Sequence, residues 1–241
     1  MVLQSCALPV LVTRPMPQAA RFAEAVQHRY GTRARPVLSP VLAPVHYTPP
    51  APEGRFGAVV FTSETGVRAA VNWGQPLPTR AFCVGDTTAR VAQDLGFSAL
   101  SAEGDADDLF DLVESHPTEG PFLILRGADA RGDLLRRLRA AGMSAAEAII
   151  YAQEPHPLSP EAESVLVSSG PVVVPLFSPR TAAIFRACLD GLALKADLRL
   201  VALSPAVAQE FPNHPAQFCA VAAAPTQAEL FLAMDRFINT A

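Results

Sequence analysis

The chain has 241 residues, half of them hydrophobic, with a formal net charge of -4. That length suits one large domain or two small ones, and the apolar share can fill a core in each. Charged residues make up only 17%, which speaks against a nucleic-acid partner, since that needs a basic face. An anionic small molecule stays open, because backbone N–H groups bind anions without adding formal charge.

In chain order, Val10–Thr13 reads as a strand. Pro15 and Pro17 then open a helix, where a missing N–H does no harm. Ala19, Phe22, Ala23 and Val26 form its buried stripe, and Gly31 closes it. From Arg35 to Pro52 the prolines at 36, 40, 44, 49, 50 and 52 exclude helix and predict an extended crossover, the first linker. Strands and helices alternate from Ala58 to about Ala148, with strands ending near Phe61, Val84, Leu100 and Leu125. Val67, Ala70 and Val71 mark one helix face; Thr88, Val91, Ala92 and Leu95 another; Leu134, Leu135, Leu138 and Ala141 a third. Ile149 to Pro155 reads as a second linker strand, and two extended linkers joining the same two domains should pair antiparallel. From Pro160 the alternation resumes, with strands ending near Leu176, Leu203 and Val221 and a last helix carrying Leu230, Met234, Phe237 and Ile238. Such alternation predicts α/β architecture, with parallel sheets covered by helices on both faces.

The chain also repeats itself. Val59 to Val71 is a strand, a turn through Thr62-Ser63 and a helix; Val172 to Ala183 is the same device through Phe177-Ser178-Pro179. A hydroxyl suits each helix N-cap, and a strand feeding a capped helix start leaves N–H groups aimed at the strand's carboxyl edge, where an anion can bind. Cys83 to Ala92 matches Ala202 to Ala208, and Gly104 to Phe110 matches Ala224 to Phe231. One unit breaks the order: Leu123 to Arg131 finds its partner at Val10 to Gln18. One domain is therefore built from both chain ends, with the other inserted in it. The predicted boundaries are 1–36 with 158–241 for the discontinuous domain and 53–148 for the inserted one, with linkers at 37–52 and 149–157.

Most catalytic equipment is missing. There is no Gly-x-Gly-x-x-Gly, no phosphate loop and no Gly-x-Ser-x-Gly elbow around Ser63, Ser178 or Ser204. His28, His46, His116, His156 and His214 lack metal spacing, and no metal is expected. Cys6, Cys83, Cys188 and Cys219 are widely spaced with no Cys-x-x-Cys pair, which fits a reducing compartment. Residues 1–12 have no positive leading segment, and no apolar run approaches membrane-spanning length. The expectation is a cytoplasmic protein without membrane attachment, monomeric because no long apolar surface stripe is left over.

Val12-Thr13-Arg14-Pro15, Phe61-Thr62-Ser63 with Gly66-Val67, Val84-Gly85-Asp86-Thr87-Thr88-Ala89, Arg126-Gly127 with Arg131, Tyr151, Phe177-Ser178-Pro179 and Pro225-Thr226 stand in an order that resembles the uroporphyrinogen-III synthase family. The resemblance covers nearly the whole chain. It implies two doubly wound, flavodoxin-like domains, one discontinuous, joined by a two-stranded linker ladder. It further implies a cofactor-free hydro-lyase of heme biosynthesis acting on hydroxymethylbilane, a flexible linear tetrapyrrole with eight carboxylates. The last ring must attack through its substituted carbon, giving a spiro intermediate that recloses with that ring inverted. Transient contact with hydroxymethylbilane synthase belongs to the same expectation. Orientation supplies most of the rate effect in such chemistry.

On this resemblance the substrate-binding candidates are Thr62, Ser63, Thr65 and Gly66 at one helix start and Gly85, Asp86, Thr87 and Thr88 at a second, with Thr88 the best match to a family hydroxyl. Ser178, Pro179 and Thr181 are their equivalents in the other domain, and Gly127 joins them. Ser204-Pro205-Ala206-Val207 departs from the family's threonines, so Ser204 stays a candidate while Ala206 and Val207 offer backbone only. Arg14 and Arg131 can pair carboxylates bidentately. For the hydroxyl residues ordinary capping is the competing reading, and for Arg131 a solvent-exposed position. Alanine at Thr62, Ser63 or Ser178 should weaken activity severalfold, and a bulky residue at Gly85 should do more by altering the backbone. Tyr151 is the catalytic candidate, a phenol donating to the departing hydroxide; the alternative is an amphipathic packing role at a domain boundary. Strand alternation puts Ile149, Tyr151 and Gln153 on one face. Two soft linkers predict hinging. The other functional reading is a non-catalytic clamshell protein holding a different anionic metabolite; a transcription-linked regulator lacks any basic segment.

Overall fold

The structure, a computed structural model, describes residues 7–129, 133–212 and 218–239. In chain order the elements are β1 (Leu8–Val12), α1 (Gln18–Tyr30), β2 (Ala34–Leu38), β3 (Leu42–His46), β4 (Ala58–Phe61), α2 (Glu64–Asn72), β5 (Arg80–Cys83), α3 (Asp86–Asp94), β6 (Ser98–Ser101) and α4 (Ala106–Glu114). They continue with β7 (Phe122–Gly127), α5 (Leu134–Ala140), β8 (Ala145–Pro155), α6 (Pro160–Val167), β9 (Gly170–Leu176), α7 (Pro179–Leu189), β10 (Ala196–Ala202), α8 (Pro205–Ala208), β11 (Phe218–Val221) and α9 (Gln227–Ile238). Met1–Ala43 with Pro155–Ala241 forms one compact unit and Pro44–Glu154 the other.

The discontinuous unit holds a five-stranded parallel sheet in the order β11-β10-β9-β1-β2. Its strands are apolar runs because alternate residues face opposite sides and both sides are covered. Leu11, Val37, Val172, Val174, Leu198 and Leu200 pack with Leu166 of α6 and Phe185 of α7. Val10, Val12, Val173 and Val201 pack on the other face with Phe22 and Val26 of α1 and Leu230 and Met234 of α9.

The inserted unit carries the order β3-β8-β7-β4-β5-β6, with β4 to β8 mutually parallel along the ladder. Val59, Phe61, Ala81, Cys83, Leu123 and Leu125 meet Val67 and Ala70 of α2 and Ala89 and Ala92 of α3. Ala58, Val60, Phe82, Phe122 and Ile124 meet Leu109 and Val113 of α4 and Leu138 of α5. Truncating a fully buried ring such as Phe61 or Phe82 costs about 3–5 kcal/mol through lost transfer energy and the cavity left behind.

The two sheets are one arrangement entered at different points. Starting from the strand before each Ser-capped helix, both read third, second, first, fourth, fifth: β6-β5-β4-β7-β8 in one, β11-β10-β9-β1-β2 in the other. The match of Leu123 to Arg131 with Val10 to Gln18 thus appears as β7 and β1 in equivalent places. In chain numbering the discontinuous unit has the 2-1-3-4-5 order and the inserted unit 3-2-1-4-5, both doubly wound.

Two proline-bearing segments expected as crossover are strands. β2 pairs with β1 from Leu8 opposite Ala34 to Val12 opposite Leu38, despite Pro36. Pro44 lies in β3. Both strands are sheet edges, where an absent N–H breaks no ladder. β8 begins at Ala145 rather than Ile149 and serves first as the fifth strand beside β7. It then neighbours β3: Tyr47 N–H donates to Ile150 O at 2.8 Å and His156 N–H to Val41 O at 2.9 Å. One number rises as its partner falls, the mark of antiparallel pairing. Helix faces also differ locally: Val71 is 49% and Leu95 39% exposed, because each stripe narrows to Val67 and Ala70 or Ala89 and Ala92 against the sheet. No helix among the described residues is long and apolar enough to cross a membrane.

Candidate active site

The inserted sheet reverses its winding between β4 and β7, and open α/β sheets bind ligands beyond the strand carboxyl ends at such a point. Ser63 follows β4, Gly127 ends β7 and Tyr151 lies on adjacent β8. Ser63 is extended, and its Oγ accepts the Gly66 N–H at 3.0 Å, capping α2. The same Oγ lies 2.8 Å from the Tyr151 hydroxyl, and either atom can donate. Because Ser63 Oγ already accepts from Gly66, its proton can go to Tyr151, which leaves the phenol proton for a second acceptor.

Alternation along β8 breaks at the site. Arg126 stands opposite Ile149 but Gly127 opposite Tyr151, so two residues of β8 face one of β7, as in a β-bulge. Ile149 is 38% exposed, whereas Tyr151 is 8% exposed and joins Ala148 and Ile150 in the core against α2. The expected common face of Ile149, Tyr151 and Gln153 therefore fails, since one extra residue turns the phenol inward. Arg126 fastens this region. Its guanidinium takes both oxygens of Glu147 on β8 at 2.8 and 2.9 Å and donates to Gly127 O at 3.1 Å. The Arg126 hydrogen bonds hold the Glu147 carboxyl below its usual range, and Glu147 raises Arg126 in turn. Nothing in the isolated sequence paired these two; the signal was a carboxylate, Glu147, set among alanines at the start of β8.

At the same helix start Thr62 and Thr65 are half-buried and Gly66 is buried. At the next, Gly85 is the N-cap of α3 with an extended φ of -157° and makes no side-chain cap. A Cβ on Gly85 would meet nothing within 4 Å, so a methyl group there asks for no backbone shift. Asp86 and Thr87 are exposed, while Thr88 is turned inward and 6% exposed.

The discontinuous unit reverses between β1 and β9. Arg14 follows β1, and its guanidinium carbon lies 4.1 Å from the Phe177 ring centre. No carboxylate pairs with it among the described residues. Burial and then Arg21 disfavour its charged form and lower its pKa, a cost that a nearby anion relieves. Phe177 as platform was not anticipated. Ser178 caps α7 by accepting the Thr181 N–H at 3.2 Å, its Oγ is 2.8 Å from Thr181 Oγ1, and Pro179 fills the first turn. Thr181 is buried. Ser204 makes no cap bond, and α8 behind it is one turn with Val207 buried, so Ala206 and Val207 offer backbone alone. Arg131 lies outside the described residues.

None of the curated protein sequences matches the chain. Among solved structures, the uroporphyrinogen-III synthetase of Helicobacter pylori 26695 superposes with a TM-score of 0.60 at 16% identity, covering 95% of this chain and 99% of that one. A mutant uroporphyrinogen III synthase from the extremely thermophilic bacterium Thermus thermophilus follows with a TM-score of 0.46 at 16% identity, covering 98% of this chain and all of the other. The first of these likenesses concerns the fold. The family model described as uroporphyrinogen-III synthase HemD matches residues 21–231, most of both units, and the chain belongs to the uroporphyrinogen-III synthase family.

Proposed function

We propose that Tyr151 is the group that donates a proton to the hydroxide leaving hydroxymethylbilane, and that Ser63 orients it. The protein is a hydro-lyase of tetrapyrrole biosynthesis that forms uroporphyrinogen III from that substrate. In the reaction the pyrrole nitrogens push hydroxide out, so a neutral donor suffices where a strong acid is not needed. The observation that carries the reading is one arrangement: Tyr151 Oη sits 2.8 Å from Ser63 Oγ beside the carboxyl ends of β4 and β7. A ring packed in a core with its hydroxyl held by a capped serine is preorganised, and such donors lower barriers without reorganising.

Carboxylate binding on this reading falls to the helix starts at Thr62 to Gly66, Gly85 to Thr88 and Ser178 to Thr181, where free N–H groups and the helix dipole favour anions. Arg14 adds a fixed charge in the discontinuous unit, and Ser204 contributes backbone donors. The same reading places the work in the cytoplasm, on a monomer that receives its unstable substrate by transient contact with hydroxymethylbilane synthase.

Tyr151→Phe tests it. The ring and its packing stay, and only the donor goes. A fall in kcat of about 10²-fold, a Tm within about 2 °C of the parent and product still of the III isomer are expected in an assay that oxidises and separates the isomers. Unchanged kcat returns Tyr151 to packing.

A further inference from the structure

We propose that Gly127 is a positioning residue: it is glycine because the Tyr151 ring occupies the place of its side chain. A Cβ built on Gly127 would fall 2.6 Å from Tyr151 Cζ, 2.8 Å from Cε2 and 3.0 Å from the hydroxyl oxygen. Carbon atoms in contact sit about 3.5–4.0 Å apart, so even a methyl group forces a displacement. The close approach alone makes the demand, since Gly127 is not among the glycines with positive φ.

Two things can move, the strand or the ring, and the strand is tied. Arg126 grips Glu147 with two hydrogen bonds and holds the Gly127 carbonyl with a third. On the other side of the bulge Ala128 N–H donates to Tyr151 O at 2.9 Å. The backbone from Arg126 to Ala128 is thus fastened to β8 before and at Tyr151, and the ring must give. On the opposite side a Cβ at Gly66 would lie 3.7 Å from Tyr151 Cε1, ordinary contact, so Gly66 does not impose the same constraint. A ring pushed off Gly127 carries its hydroxyl away from Ser63. The bulge, the glycine and the arginine clamp therefore form one seat, and its product is the direction of a single O–H bond.

This inference rests on the reading of Tyr151 as proton donor, and its test separates the two. Gly127→Ala, Tyr151→Phe, Tyr151→Ala and the double variants are compared for kcat, KM and Tm with hydroxymethylbilane. Gly127→Ala is expected to lower kcat by about tenfold or more with KM within about twofold, and to lower Tm by about 4 °C or more. In the Tyr151→Phe background it should lower kcat by less than about twofold further, because the donor is already gone. In the Tyr151→Ala background its Tm loss should vanish, because the vacated space takes the methyl group. Equal kcat losses with tyrosine and phenylalanine at 151 would mean that Gly127 acts on substrate directly, and would overturn the seat. If Tyr151→Phe leaves kcat unchanged, the donor reading fails while the Tm coupling still judges the seat; a Gly127→Ala penalty that persists in Tyr151→Ala overturns it. Should Gly127→Ala not fold, recovery of folding in Gly127→Ala/Tyr151→Ala supports the seat, and failure to recover sinks it.

Discussion

The two switch points are built from one repeat and hold opposite things. Beside β4 and β7, the arginine near the carboxyl end of β7, Arg126, is neutralised by Glu147 and the space is filled by a phenol. Beside β9 and β1, the equivalent arginine, Arg14, meets no carboxylate among the described residues and lies on the Phe177 ring. A planar guanidinium on an aromatic face keeps its edge donors for a second partner. One copy has committed its cation to holding its own backbone; the other keeps its cation available. On the proposed reading the inserted unit carries out the proton step and the discontinuous unit holds substrate charge.

Three measurements break or sharpen that contrast. Arg14→Gln should raise KM by about tenfold or more, the worth of a hydrogen bond to a charged group, with kcat within about twofold. The same change at Arg126 should leave KM alone and lower Tm, because Glu147 loses its partner in a half-buried site. Matching KM effects at both positions would erase the distinction.

Smaller effects are expected at the two caps. Ser63 and Ser178 each accept an N–H from the third residue on, so alanine at either should cost about 1 kcal/mol of stability. Only Ser63→Ala should also lower kcat severalfold, because only that cap touches Tyr151. Equal kcat losses would remove the orienting role from Ser63.

The smallest is a pH slope. Glu147 is held below its usual range by Arg126, so it contributes stability above about pH 4 and loses it as pH falls through its lowered folded value. Asp235, bound by Arg29 and Tyr30, does the same in the discontinuous unit. Glu147→Gln should flatten the acid side of the Tm profile while the contribution of Asp235 remains. An unchanged slope would show that the pair holds no charge-dependent stability.

Which features could be read from residues alone follows from how local they are. N-caps at Ser63 and Ser178, the apolar strands and the permuted repeat are written in neighbouring residues, and the fold is legible from them. β2 was hidden by Pro36, since only the sheet order reveals that its strand is an edge. The inward turn of Tyr151 was hidden for a different reason. A bulge is a property of two strands, and β8 read by itself keeps strict alternation. Whether an arginine is committed or available likewise depends on what lies across the ladder, at Glu147 in one unit and Phe177 in the other.

The permuted order also sets a timetable for biogenesis. β1 is an interior strand that needs β9 on one side, yet β9 is made only after the whole inserted unit. At roughly 5–20 residues per second, that wait is on the order of ten seconds. Throughout it, Val10, Leu11 and Val12, all fully buried in the finished protein, have no sheet to enter beyond β2. The inserted unit can complete its sheet on the ribosome while the amino-terminal elements wait, so the earliest-made strand is among the last to be enclosed. Chaperone capture of nascent chains should accordingly concentrate on lengths between the end of β2 and the emergence of β9.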